Sequence, residues 1–312
     1  MALTGKQASS SLAATGGELS AEQWRDSLRR RRWRKYFPMA CGVVLVLLML
    51  LMAALAPWLA PLSPSAQFSE HVLKGPGAGG KHLLGTDEFG RDLLSRVIWG
   101  ARVSLQVGLA AVVVGFICGV PLGIMAGFLG GKVEMGIMRL TDMLMAFPTL
   151  LLALIIVAAL GGSLFNEILA IGIALTPNFV RLSRGLALTI RENDYIMAAR
   201  ALGCTQVRIM FRHILPNTLS TLVVIATLDI ASAIRTEAGL SFLGLGVPPP
   251  TPSWGNILSE GRQYIKCCSW LTTYSGLAIM LAVLALQSDG GCTTRPARSA
   301  AAGGVKSVVS GQ

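Results

Sequence analysis

Charged residues are scarce. They make up 14% of the 312 residues, where a soluble domain carries roughly 25%. Histidine is nearly absent: three copies, His71, His82 and His213, lie too far apart in sequence to suggest a metal site. None of the six cysteines (Cys41, Cys118, Cys204, Cys267, Cys268 and Cys292) belongs to a C-x-x-C pair. Several sit in apolar segments and read as small buried hydrophobes, a vicinal Cys267–Cys268 disulfide being the rare alternative. A complete phosphate-binding loop is missing. Gly75, Gly80 and Lys81 begin G-x-x-x-x-G-K, but His82 stands where the Mg²⁺-binding Ser or Thr belongs. No nucleophile–base or metal constellation marks a membrane-bound enzyme. The first 38 residues start without an apolar core, so no cleaved signal peptide is expected.

Hydrophobic residues are abundant, at 53%. They cluster into runs of about 20, long enough to cross a bilayer as helices. The expected fold is therefore all-α, a polytopic membrane protein with one membrane domain. Lysine and arginine outnumber acids 27 to 16, a net charge of +11. The basic residues stand beside the apolar runs, where they set orientation, so nucleic acid is not an expected partner. Six spans are expected, at about 39–56, 103–125, 137–160, 168–182, 218–233 and 268–285. The cluster RRRRWRK at residues 29–35 marks the cytoplasmic side of the first span, and Trp58 anchors its far end. Six crossings then place both termini in the cytoplasm.

Several residues stand out within this plan. Gly115, Gly119, Gly123 and Gly127 fall at every fourth position of the second span, a spacing that lets another helix approach closely. The seam serves packing or lines a moving contact. Pro121 should bend that span and Pro148 should kink the third. Asp142, three residues after Arg139, suggests a local ion pair. Asp229 lies within the fifth span, where a carboxylate faces a bundle interior or a wet cavity. It either bonds a neighbouring helix or lines a possible pathway. The glycines and prolines of LSFLGLGVPPPTPSWG, in an outside loop over 235–267, argue against a regular helix.

Residues 195–217, YIMAARALGCTQVRIMFRHILPN, form a polar island between apolar segments. They read as two short helices separated by Gly203, the second ending before Pro216. Between positions 181 and 212, Arg181, Arg184, Arg191, Arg200, Arg208 and Arg212 face only Glu192 and Asp194, which fits a cytoplasmic location. A tight turn would suffice to connect two spans, so this basic hairpin reads as a docking element.

Four motifs, HLLGTDEFGRDLLSRVIWGARVSL, MRLTDMLMAFPTLLLAL, AARALG…FRHILPN and LSFLGLGVPPPTPSWG, resemble the inner-membrane permease subunits of bacterial ABC importers for dipeptides, oligopeptides, glutathione and nickel. Within these the chain looks most like the second permease, the dipeptide-type C subunit. The resemblance covers roughly residues 34–286 and implies a type I ABC importer permease fold: a cytoplasmic tail over 1–38, a permease domain over 39–286, and a cytoplasmic "EAA" coupling loop at about 184–217. It matches the loop pattern at Ala198, Ala199, Gly203, Leu215 and Pro216. Arg200, Arg208 and Arg212 join them as candidate ATPase-coupling residues. Met197 stands where the family has glutamate. The family also implies the partners: a second homologous permease, two ABC ATPases, an extracytoplasmic substrate-binding protein and membrane lipid. ATP would be used by the ATPases, with no cofactor bound by this chain. After Leu286 the sequence QSDGGCTTRPARSAAAGGVKSVVSGQ departs from the family pattern, so residues 287–312 are expected to reflect a reading-frame change. The cargo stays open among peptides, glutathione and nickel. An ion-coupled secondary transporter is the competing class, with Asp229 as its one clear coupling candidate and no internal repeat in support.

Overall fold

Apolar runs of this length satisfy their own backbone groups in lipid only as helices or closed barrels, and the described residues are helical, with no β-strand beyond an isolated bridge between Thr86 and Asp92. A computed structural model describes residues 40–77, 80 and 82–288. The expectations for the basic tail, Lys81, Cys292 and the segment from 289 onward lie outside the described residues.

Helix α1 spans Ala40–Ala54, and a single turn, α2, covers Ala56–Leu59. Helix α3, Leu93–Leu129, is 37 residues long and continues through Pro121. Asp92 caps it: its Oδ2 accepts from the Ser95 backbone N–H at 2.8 Å and from the Ser95 hydroxyl at 2.7 Å. Such a cap satisfies donors that the first helical turn leaves orphaned. Helices α4, Gly131–Met145, and α5, Thr149–Leu160, follow. Helix α6 runs Leu164–Arg191 and α7 Asp194–Ala201. Helix α8 extends 37 residues over Gln206–Phe242, α9 covers Trp254–Gly261, and α10 covers Trp270–Ser288. By length and composition, α3, α8 and α10 can each cross a membrane, and the pair α4–α5 supplies a further crossing if it is one broken span. At 28 residues, α6 is about 42 Å long, which exceeds a ~30 Å hydrocarbon core.

Four sequence expectations are corrected. The third span is not one kinked helix: α4 and α5 meet at 90°. Pro148 has no N–H, and its ring would clash with the carbonyl four residues back, so α4 stops and α5 restarts. The second helix of the island does not end before Pro216. It is the start of α8, which continues through a π-helical turn at Met210–Ile214 and past Pro216, the wider turn absorbing the bond that Pro216 cannot make. The motif that was expected to be loop is partly helical: α8 carries Leu240, Ser241 and Phe242, and Trp254 opens α9. Asp142 pairs with Arg181 on α6 at 2.7 Å, not with Arg139.

From Gly42 onward the described residues belong to one compact unit. Its centre is the contact of α3 with α6, joined by α5, the base of α7 and α8 in one continuous apolar core. The glycine series faces α6 directly. A Cβ at Gly115 would lie 3.0 Å from the Gly172 carbonyl oxygen; at Gly119, 2.7 Å from Phe179 Cβ; and at Gly127, 2.6 Å from the Arg184 carbonyl oxygen. At Gly123 it would run into Ser183 and the Val180 carbonyl. Only hydrogen at these four positions permits so close an approach, and close backbone packing is the force that binds helices where lipid tails match side chains in polarity.

Candidate coupling site

The island of residues 195–217 is positioned by its own apolar side. Ile196 and Ala199 of α7 are buried in the same cluster as Phe128 at the end of α3, Ala187 of α6, and Ile209, Met210 and Ile214 of α8. A spacing of three residues puts Ile196 and Ala199 on one face. The helix then closes through bonds from Cys204 N–H to the Ala199 carbonyl, 3.1 Å, and from Gly203 N–H to the Arg200 carbonyl, 3.0 Å. Gly203 adopts φ +81°, the left-handed conformation that closes a helix and that glycine adopts without penalty. Thr205 restarts the chain, its hydroxyl accepting from the Arg208 backbone N–H.

The opposite side is bare. Tyr195, Met197, Leu202, Val207 and Phe211 are all exposed, Leu202 at 85%. Ala198, Arg200, Arg208, Arg212 and Pro216 are exposed around them, while Ala199 is buried and Leu215 half-buried. These exposed apolar side chains stand among basic residues on an element whose back is locked into the bundle, and Val207 and Phe211 also line a groove beside Pro121, Ile124 and Met125 of α3. Exposed apolar clusters rimmed by polar groups mark interaction sites. Met197 is 55% exposed, so an acid at this position would point away from the chain's own core. Glu192 and Asp194, the nearby acids, are exposed as well.

The arginines divide by role. Arg181 and Arg184 belong to α6 and tie it to α4, through Asp142 and Glu134; Arg184 Nε donates to Glu134 Oε1 at 2.7 Å. Arg191 donates to the Gly127 carbonyl at 3.2 Å, joining the ends of α3 and α6. The Arg200 guanidinium lies 4.7 Å from the centre of the Phe128 ring, within cation–π range. Arg208 and Arg212 project from the first turns of α8, and no ion pair forms at either among the described residues.

Asp229 stands apart, half-buried in the middle of α8. Its Oδ2 is enclosed without a hydrogen-bond partner among the described residues, so this oxygen makes no bond to a neighbouring helix. Two further polar centres escaped the sequence reading. In one, Glu237 of α8 is fully buried, with Oε2 accepting from the Ser104 hydroxyl and Oε1 from the Ser241 hydroxyl, both at 3.1 Å. Ser104 also accepts from the Trp254 backbone N–H at 3.2 Å, which draws α9 onto α3 and α8. Near it, Glu167 in the first turn of α6 is 0% exposed, with neither carboxylate oxygen hydrogen-bonded among the described residues.

The second is an ionic knot. Asp87 Oδ2 accepts from Arg91 Nε at 2.6 Å and from Arg96. Both arginines also reach Glu260 on α9, Arg91 at 3.1 Å. His82 Nδ1 lies 3.1 Å from Asp92 Oδ1, so the residue that breaks the phosphate-loop pattern is engaged in this scaffold. The spacing of Asp87, Arg91 and Arg96 was readable in the sequence, but Glu260 is 164 positions beyond Arg96 and no local periodicity joins them. Cys41, Cys118, Cys204, Cys267 and Cys268 are free thiols, so no Cys267–Cys268 disulfide forms. No cluster of three metal-ligating side chains occurs among the described residues.

Comparison with known proteins converges on one family. Residues 119–290 match the binding-protein-dependent transport system inner membrane component, and residues 22–76 match the N-terminal transmembrane domain of oligopeptide transport permease C. The chain is 47% identical over 253 residues to a di/tripeptide transport system permease protein of Pseudomonas aeruginosa, covering 80% of this chain and 84% of that one. It is 42% identical over 267 residues to a dipeptide transport system permease protein of Alkalihalophilus pseudofirmus, covering 86% of each. A crystal structure of the MetNI methionine ABC transporter, inward facing, superposes with a TM-score of 0.55 at 20% identity, over 65% of this chain and 97% of that one; it shares the fold. A helical membrane bundle, matched along most of its length by such relatives, belongs to the inner-membrane permease components of binding-protein-dependent ABC importers.

Proposed function

We propose that the chain is the C-type permease of an importer for dipeptides or short oligopeptides, and that a separate ATPase drives it through the face formed by Tyr195, Met197, Leu202, Val207 and Phe211. The observation that carries the coupling is the two-sidedness of residues 195–217. One side is built into the core that joins α3, α6 and α8, and the other presents apolar side chains and Arg200, Arg208 and Arg212 to a partner. A push on α7 is therefore carried to the ends of all three helices, since a packed core shifts between discrete arrangements and does not deform smoothly. The peptide cargo rests on the relatives named for di/tripeptide and dipeptide transport.

In this reading ATP is consumed by two ATPase subunits. A second permease completes the pathway, and an extracytoplasmic binding protein delivers the peptide. Both termini face the cytoplasm, which puts the ionic knot of Asp87, Arg91, Arg96 and Glu260 on the opposite side. Asp229, a half-buried carboxylate in a spanning helix, is the residue assigned to the pathway. Co-purification tests the coupling face. Charge reversal at Arg208 or Arg212 is expected to weaken ATPase retention while membrane insertion is unchanged. Full retention by the doubly reversed variant would restrict these arginines to setting topology.

A further inference from the structure

Outside the coupling face, a groove of about 700 Å³ opens between α1, α3 and α10. Its walls are apolar: Leu50 and Ala53 of α1, Leu105 of α3 and Ala282 of α10 all line it. Two polar side chains break this lining, Arg102 and, one turn further along α3, Gln106. Arg102 is exposed, and no ion pair forms at it among the described residues. Its guanidinium lies 5.8 Å from the centre of the Trp99 ring.

Depth fixes what can sit there. No charged residue follows Arg102 on α3 until the helix ends at Leu129. That uncharged stretch is about 40 Å long at 1.5 Å per residue, and it accommodates a ~30 Å hydrocarbon core without burying Arg102. Tryptophan favours the interfacial belt, and Trp99 lies one turn from Arg102 on the side of the ionic knot. Arg102 thus stands at headgroup level, and the groove descends from it toward the acyl chains. A guanidinium without a carboxylate partner, at the depth of lipid phosphates and above an apolar groove, suits a phosphodiester in charge and in its fork of donors.

We propose that a phospholipid of the leaflet on the ionic-knot side occupies this groove, its phosphate held by Arg102 and Gln106 and one acyl chain lying between α1 and α10. The lipid would fasten α1 to the rest of the bundle along a line where side chains alone leave a gap. The proposal does not depend on the cargo or on the coupling face.

The test uses the full-length chain in detergent, titrated with a phosphatidylglycerol of two 16-carbon chains, with bound lipid counted by native mass spectrometry and thermal unfolding followed in parallel. The wild type is expected to retain one lipid more tightly than the rest and to be stabilised by it. Arg102→Gln should weaken that binding about tenfold, the worth of one charge-assisted contact, and Arg102→Lys should recover part of it. Leu50→Trp, which fills the groove without touching the cation, should abolish the tight site. Inorganic phosphate should not stabilise the protein, because it lacks the chain. Equal lipid retention by Arg102→Gln and Leu50→Trp would overturn the proposal, as would full stabilisation by phosphate alone. So would cross-linking of the Leu50→Cys variant to the second permease in the assembled pair, with no lipid retained, because the groove would then be a subunit contact.

Discussion

The buried charges set the terms for individual residues. Asp87, Arg91 and Arg96 are nearly inaccessible, and together with Glu260 they hold the segment before α3 against α9. Removing one member of such a set leaves the others charged and underpaired, at a cost of about 3–5 kcal/mol. Arg96→Met is therefore expected to lower the thermal unfolding temperature of the purified chain markedly, whereas Arg139→Met, on an arginine with no ion pair among the described residues, should leave it nearly unchanged. Equal midpoints for the two variants would show that the knot contributes nothing to stability. The pairing of Arg96 with Glu260 was not legible in the sequence because it is a tertiary contact between distant segments. The pairing of Asp142 was misjudged for a related reason: a helix neighbour three positions away was available, but α6 brings Arg181 closer.

Among the elements, what the sequence disclosed depended on whether the signal was local. A glycine at every fourth position of α3 is a local pattern, and α6 lies against all four. Gly119→Leu should cost about 1–3 kcal/mol or more through overpacking against Phe179, read as faster unfolding or loss of the folded protein from membranes. Gly136→Ala, where a Cβ meets nothing within 4 Å, should be neutral; a similar loss in both would detach the seam from close packing. Proline gave a mixed signal. Pro148 ends a helix as its chemistry suggests, but Pro216 is absorbed by a π-helical turn, because the surrounding core over Met210, Ile214 and Leu222 holds α8 together across it. The helical start of LSFLGLGVPPPTPSWG was hidden for the opposite reason, since its later glycines and prolines dominate the composition. At Gly203, φ +81° disfavours any side chain, yet open space surrounds the position. Gly203→Trp should therefore insert normally and disturb only the angle between α7 and α8, which uncouples peptide uptake from ATP hydrolysis. Normal uptake at wild-type expression would argue against this hinge.

On the scale of the whole molecule, the division of labour was legible early. Few charges and long apolar runs mark a membrane protein, and the relatives place it among ABC importer permeases. The arrangement of the candidate coupling face was only half readable. Sequence singled out residues 195–217, but only the folded chain separates Ile196 and Ala199, turned inward, from Met197 and Leu202, turned outward. The most direct measurement is uptake of a radiolabelled dipeptide into proteoliposomes holding this chain, its second permease and its ATPases, with binding protein outside and ATP inside. Uptake is predicted to require ATP and to vanish when the ATPase can bind but not hydrolyse it, with or without an imposed ion gradient. Uptake that persists with the inactive ATPase and follows a proton or sodium gradient would contradict it.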